Sequence, residues 1–79
     1  MLVSVRLHAG LVDHVRGAKA GETLQVRVPP GSKVSDLARA LGVPEQEIRT
    51  TFVNGRARGP DWPLEPGDEV GFFPAVGGG

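Results

Sequence analysis

The residues with the most distinctive chemical potential lie at the carboxyl end, where Val76 is followed by Gly77, Gly78 and Gly79. Glycine has no side chain and the widest backbone freedom of any residue, so these positions add little to a core or a sheet. Such a chain end fits through a slot too narrow for a Cβ atom and can deliver its terminal carboxylate to another protein's active site. The alternative is an ordinary linker, because glycine-rich ends are commonly flexible.

The residues before the glycines favour delivery of the carboxylate. A linker is polar, whereas Val70, Phe72 and Phe73 tie the tail to a strand. Residues 76–79, fully extended at about 3.3 Å each, reach roughly 13 Å. Ordering them costs roughly 1–2 kcal/mol per residue, so the folded body must provide an anchor. Phe73 is the candidate, since full burial of such a side chain is worth roughly 1.5–3 kcal/mol; its alternative role is ordinary packing against a loop.

Composition limits the class of protein. The 79 residues suffice for one domain, which we expect to span 1–79, with 74–79 as an extended tail. The absence of cysteine excludes disulfides and thiolate chemistry. Nine basic residues balance nine acidic ones, which argues against nucleic acid as a partner. The sequence lacks an apolar run of membrane-spanning length and a signal-peptide pattern, so we expect no membrane partner and a cytoplasmic location.

Alternating apolar and polar residues predict the strands. Asn54-Gly55 is typical of a type I′ hairpin turn. Glu65-Pro-Gly-Asp68 is typical of a type II turn that leads into the last strand. On that strand Val70 should face the core and Gly71 the opposite side. In chain order the predicted strands are Leu2–His8, Thr23–Val28, Thr51–Val53, Arg56–Arg58 and Glu69–Phe73.

The middle of the chain predicts one helix, with Ser32 as its N-cap and Gly42 as its stop. Its apolar stripe has helical spacing and consists of Val34, Leu37, Ala38 and Leu41. Short turns are expected within Ala9–Gly17 and Pro44–Arg49, the second with Ile48 toward the core. One helix with an apolar stripe needs one sheet face to cover it. The sequence therefore predicts an α+β fold in which a single mixed sheet covers one main helix.

The remaining conspicuous residues predict no second site. His8 and His14 have no set of carboxylates or cysteines around them, so we expect surface histidines and no metal site. Arg56 and Arg58 could meet an acidic partner, but a solvated edge that resists strand pairing is the preferred interpretation. Trp62 is expected to fold over the edge of the core.

Three segments together resemble the ubiquitin-like sulfur-carrier family, which includes the small subunit of molybdopterin synthase and the thiamine-pathway sulfur carrier. They are Val53-Asn-Gly-Arg56, Leu64-Glu-Pro-Gly-Asp-Glu-Val70 and Phe72-Phe-Pro-Ala-Val-Gly-Gly78. The Phe-Phe-Pro segment is more similar to the molybdopterin branch. Two departures are Pro74-Ala75, where that branch often has two prolines, and a third terminal glycine.

The resemblance implies a β-grasp, ubiquitin-like fold with a flexible Gly-Gly tail. It implies that an ATP-dependent E1-like enzyme adenylates the Gly79 carboxylate and that a persulfide donor converts it to a thiocarboxylate. The acceptor would be cyclic pyranopterin monophosphate on the large molybdopterin synthase subunit. Gly77 and Gly78 would thread the partner's slot, and Phe73, Pro74 and Val76 would contact the partner. Such a chain supplies the reacting atom but no acid, base or nucleophile, so we expect a carrier subunit without a cofactor and not an enzyme.

Three alternatives remain open at this point. The sulfur could serve another pathway, such as thiamine synthesis or tRNA thiolation. The chain could be a ubiquitin-like modifier joined to lysines through Gly79. It could also be a plain β-grasp interaction domain whose tail is inert.

Overall fold

The computed structural model describes residues 1–75. The tail residues Val76, Gly77, Gly78 and Gly79 lie outside the described residues. The described chain forms five strands, one α-helix and two 3₁₀ turns. The strands are β1 (Leu2–Leu7), β2 (Thr23–Arg27), β3 (Ile48–Val53), β4 (Arg56–Ala57) and β5 (Glu69–Pro74), the helix is α1 (Val34–Leu41), and the turns are Ala9–His14 and Glu45–Glu47.

The strands form one mixed sheet in the order β2-β1-β5-β3-β4. β5 is central: it runs parallel to β1, with Leu7 beside Phe72, and antiparallel to β3. β2 and β4 pair antiparallel with β1 and β3 and form the two edges. The sheet covers the single helix on one face. This is the β-grasp, ubiquitin-like architecture, so the predicted fold class is confirmed.

The core lies between the inner face of the sheet and the apolar stripe of α1. Val5, Leu37 and Phe72 are fully buried there, one each from β1, the helix and β5. Apolar burial of this kind is the main favourable term in folding. Val34 and Ala38 of the predicted helix stripe are also buried, and its last member, Leu41, is half-buried against the core. Among the described residues no helix has both the length and the apolar character needed to cross a bilayer.

The start of the helix differs from the prediction. Ser32 is not the N-cap, because it belongs to the preceding turn, where its backbone N–H and its hydroxyl both donate to the carbonyl oxygen of Pro29. The N-cap is Lys33, whose backbone N–H donates to the Asp36 carboxylate at 2.8 Å. At the other end Gly42 has a φ of +78°, which glycine tolerates best, so the predicted stop is confirmed.

Both predicted turns at the β5 end of the sheet are confirmed by their backbone angles. Asn54 and Gly55 have φ values of +52° and +83°, as a type I′ turn requires, and Gly67 has +83°, as the type II turn requires. The Asp68 carboxylate accepts hydrogen bonds from Asn54 Nδ2 at 2.9 Å and from the Glu65 backbone N–H at 2.8 Å. Asp68 therefore holds the two turns together.

The strand ends differ from the predictions where long-range pairing decides them. β3 begins at Ile48, three residues earlier than expected, because Ile48 pairs with Pro74 of β5. The short turn before it shrinks accordingly to Glu45–Glu47. β2 is an edge strand, so Leu24 and Val26 point inward but are only half-buried.

Candidate functional site

The last strand separates a core residue from a surface residue at adjacent positions. β5 alternates, with Val70 and Phe72 buried and Gly71 and Phe73 on the outer face. Phe72 is 0% exposed, whereas Phe73 is half-buried. The predicted position of Phe73 opposite the core face is therefore confirmed. Its side chain lies at the point where the sheet leads into the tail.

Two further aromatic rings surround Phe73 on the outer face of the sheet. The His8 imidazole stacks on the Phe73 ring, with centroids 4.0 Å apart and planes inclined by 7°. Phe52 of β3 meets the same ring edge-on, with a centroid distance of 5.6 Å and an angle of 86°. Both geometries are favourable for aromatic pairs. We call these three residues, His8, Phe52 and Phe73, the aromatic cluster.

Gly71 allows the Phe73 ring to lie flat against the sheet. A Cβ atom at Gly71 would lie 3.3 Å from Phe73 Cε2 and 4.0 Å from His8 Nε2. That first distance is shorter than an ordinary van der Waals contact, so any side chain there would press on the ring. The space left above Gly71 is a hollow of about 310 Å³ on the outer face. An outer-face hollow beside exposed aromatic surface is suited to receive a partner's side chain.

The structure brings two of the predicted partner-binding residues together. Phe73 and Pro74 both line a shallow cavity of about 460 Å³, together with His8, Phe52 and the exposed Ala75. Phe52 is 37% exposed, which leaves apolar surface uncovered beside the cavity. The third predicted contact, Val76, lies outside the described residues, as do the predicted threading and reacting residues Gly77, Gly78 and Gly79.

Sequence reasoning missed His8 and Phe52 as members of this surface. His8 was expected to be an isolated surface histidine. The alternation of β3 places Phe52 on the outer face, and the extended residue His8 continues the alternation of β1 by one position. Both patterns are visible in the sequence. Their contact with Phe73 depends on how β1 and β3 align with β5, and this alignment cannot be predicted from a local sequence pattern. A search for outward-facing aromatic residues near strand ends would have singled them out.

The other conspicuous side chains have structural contacts. His14 Nε2 lies 2.9 Å from Glu47 Oε1 and links the two 3₁₀ turns. The Arg58 guanidinium lies 4.0 Å from the centre of the Trp62 ring, a cation–π contact. Trp62 is 40% exposed, and the Arg58 side chain packs on its ring. Within residues 1–75 no three metal-ligating side chains come together.

The solved structures most useful for comparison are all small ubiquitin-like proteins. Small archaeal modifier protein 1 from Haloferax volcanii is 26% identical, with each chain covered over 100% of its length and a TM-score of 0.72. A Pyrococcus furiosus protein assigned as molybdopterin converting factor subunit 1 is also 26% identical, with 96% of this chain and 99% of that chain covered and a TM-score of 0.71.

A third structure shares the fold at lower identity. Subunit 1 in the complex of subunits 1 and 2 of the molybdopterin-converting factor from Helicobacter pylori is 20% identical over 100% of both chains, with a TM-score of 0.63. These neighbours share the β-grasp fold of this chain over nearly its whole length. No curated protein matches the sequence.

A family model carries the assignment over nearly the whole chain. The model of the Mut7-C ubiquitin family matches residues 1–77. The match spans the β-grasp body described above and reaches into the glycine tail. The predicted resemblance to ubiquitin-like sulfur carriers is therefore confirmed, and the chain belongs to the Mut7-C ubiquitin family.

Proposed function

We propose that this chain is a sulfur carrier that works as the small subunit of molybdopterin synthase in the cytoplasm. Gly79 carries the reacting carboxylate, and the rest of the single domain presents it to larger partners. Gly77 and Gly78 pass through the partner's slot, while Phe73, Pro74 and Val76 contact the partner outside it. The observation that carries the proposal is the position of the aromatic cluster at the exit of β5.

The cycle needs two partners before delivery, since a carboxylate is a poor electrophile. An E1-like enzyme transfers AMP from ATP to the Gly79 carboxylate and releases pyrophosphate. A persulfide sulfur then displaces AMP, and a thiol cleaves the resulting acyl disulfide, leaving a thiocarboxylate and an oxidised disulfide. The large synthase subunit receives the sulfur on its bound precursor. The carrier contributes affinity and reach, not acid–base catalysis.

The aromatic cluster supports the anchoring part of this cycle. Phe73 is half-buried by His8 and Phe52, so it is held in place and still offers surface to a partner. A side chain ordered before binding loses less entropy on association than a free one. Ordering the tail is costly, and a rigid aromatic surface beside its first residue offsets part of that cost.

The choice of the molybdopterin branch is supported by two neighbours. The Pyrococcus protein is assigned as a molybdopterin converting factor subunit, and the Helicobacter protein is seen in complex with its subunit 2. The second of these shares only the fold at 20% identity, and it gives an example of this architecture paired with a larger subunit. A large acceptor subunit is therefore the partner we propose for delivery.

A second function has its own supporting observation. The chain is as similar in sequence to the archaeal modifier protein as to the Pyrococcus protein, at 26% identity to each. A modifier uses the same activated carboxylate but transfers it to a lysine amine instead of receiving sulfur. Sulfur delivery for thiamine or tRNA thiolation is a further variant of the carrier role.

Intact-mass measurement distinguishes these functions. The full chain is incubated with the E1-like enzyme of its source cell, ATP and a persulfide donor. A carrier exchanges one carboxylate oxygen for sulfur, and a modifier yields isopeptide-linked species. Deletion of residues 77–79 should abolish either product and leave the circular dichroism spectrum unchanged. If the full chain keeps its mass while the enzyme remains active on another carrier, the carrier proposal is wrong.

A further inference from the structure

We infer that the open edge of β3, together with the groove beside α1, binds an acidic extended segment of a partner protein as an additional strand. This surface lies on the helix side of the sheet, whereas the aromatic cluster lies on the outer face. The two surfaces adjoin at Arg49 and Thr50, which line both cavities, but they lie on opposite sides of the sheet. The groove is therefore a second interaction surface, and the inference does not depend on sulfur transfer.

The first observation is an incomplete edge. β4 pairs only with Phe52 and Val53 of β3. Beyond that pair the Arg58 backbone N–H donates to the Thr51 carbonyl oxygen at 2.9 Å, and then the chain turns away. Within residues 1–75, Ile48–Thr50 has β5 on one side and no strand on the other. An exposed strand edge of this kind is a template for an added strand.

The second observation is an apolar groove beside that edge. It has a volume of about 490 Å³ and runs between α1 and β3. Its floor is apolar and its rim carries arginine. Side chains of an added strand alternate between two faces, so every second residue would enter this groove. The floor residues are Val34, Ala38, Ile48 and Phe72.

The third observation is charge. Arg49 and Arg58 line the groove, and Arg56 lies on β4 at the same edge. None of the three forms an ion pair with a carboxylate of residues 1–75. Glu45 is the single acidic residue that lines the groove in the described chain. The edge is therefore positively charged and complementary to a strand that carries carboxylates.

The charge also decides between possible occupants. A second copy of this chain would bring its own arginines to the same edge, and like charges placed opposite each other on paired strands are destabilising. An acidic strand from another protein meets no such repulsion. The arginines thus discourage self-association through β4, as the sequence suggested, while they favour an acidic partner at β3.

A peptide titration tests this surface on the full chain. The probe is a heptapeptide that alternates Glu or Asp with Val, and its counterpart replaces each acidic residue with Lys. Amide chemical shifts are followed by NMR. We expect the acidic peptide to shift resonances of Ile48–Thr51 and of α1, with little change at His8 and Phe73. The lysine peptide and an acidic peptide N-methylated at every residue, which cannot pair as a strand, should not bind.

A matched pair of variants separates charge at the groove from net charge. R56E/R58E should lower the affinity for the acidic peptide about tenfold, as expected from the reversal of one exposed and one half-buried charge at the open edge. R16E/R27E changes the net charge equally at exposed positions away from the groove and should leave the affinity nearly unchanged. The inference is overturned if both variants bind equally, if the lysine peptide binds as well, if the shifts fall on the aromatic cluster, or if no shift appears at millimolar peptide. Should R56E/R58E fail to fold, the pattern of shifts in the native chain and the two control peptides still test the inference.

Discussion

The His8 imidazole and the Phe73 phenyl ring lie face to face, 4.0 Å between centroids and 7° from parallel. The contact exists because β1 and β5 are parallel neighbours, with Leu7 aligned to Phe72. His8 follows β1 in an extended conformation, so it lies beside Phe73 on the outer face. The stack fixes the orientation of the ring at the base of the tail. Its removal should therefore affect both stability and partner affinity.

Replacing His8 with Ala should lower the free energy of unfolding by about 0.5–1.5 kcal/mol, the usual value of an aromatic pair. Urea denaturation measures this. H14A is the matched control, because His14 contacts Glu47 and not the aromatic cluster. We also expect H8A, but not H14A, to weaken binding to the E1-like enzyme. Equal effects of the two variants on that affinity would contradict a role for the stack.

Adjacent phenylalanines should separate folding from function. F72A removes a side chain that is 0% exposed and should cost about 3–5 kcal/mol, comparable to the whole stability of a domain of this size. F73D should stay folded and bind the E1-like enzyme or the large synthase subunit more weakly. Circular dichroism and calorimetric titration report the two properties. W62D, another exposed aromatic position, serves as the control and should bind normally. Unchanged partner affinity of folded F73D would rule out Phe73 as the anchor.

Substituting Gly71 tests whether the orientation of the Phe73 ring matters. The Gly71 backbone angle is ordinary for a strand, so G71A introduces no backbone strain, but its Cβ would lie 3.3 Å from Phe73 Cε2. We expect the ring to shift, the stability to change by less than about 1.5 kcal/mol, and partner affinity to fall. G59A has no atom within 4 Å of the added Cβ and should change neither the stability nor the partner affinity. If G71A and G59A have the same partner affinity, the orientation of the Phe73 ring does not matter for binding.

Asp68 should be the most sensitive polar residue outside the core. D68A removes the acceptor for Asn54 Nδ2 and for the Glu65 N–H, so we expect a loss of about 1–3 kcal/mol in the free energy of unfolding. E65A is the control, since it changes the charge equally and keeps the backbone N–H that Asp68 binds. Thermal unfolding of the two variants should differ by several degrees. A D68A midpoint equal to that of E65A would show that the two turns hold without their link.

Local patterns predicted most of the elements, because their signals are themselves local. The Asn54-Gly55 hairpin, the Gly42 stop and the alternation of Val70 and Phe72 are all confirmed. Ser32 was misplaced as the N-cap because it closes the turn that begins at Pro29, and the helix starts one residue later, where Asp36 accepts from the Lys33 N–H. The start of β3 depended on the pairing of Ile48 with Pro74, and such distant pairing leaves no local signal.

The candidate site was predicted in part for the same reason. Phe73 was placed on the outer face from period-two alternation alone. The aromatic cluster requires the alignment of three strands that are far apart in sequence. The groove beside β3 forms because β4 ends after two residues, whereas we predicted a strand of three residues, Arg56–Arg58. Contacts between segments that are distant in sequence form both the aromatic cluster and the groove. The types of the residues at these positions can be read directly from the sequence.

The central place of β5 has a mechanical consequence. A pull applied at Ala75 acts on a strand that is paired with β1 on one side and β3 on the other. Because β5 runs parallel to β1, its separation by such a pull would shear many pairings at once and not unzip them one by one. The pairing on both sides of β5 therefore resists extraction of this strand when force is applied at Ala75.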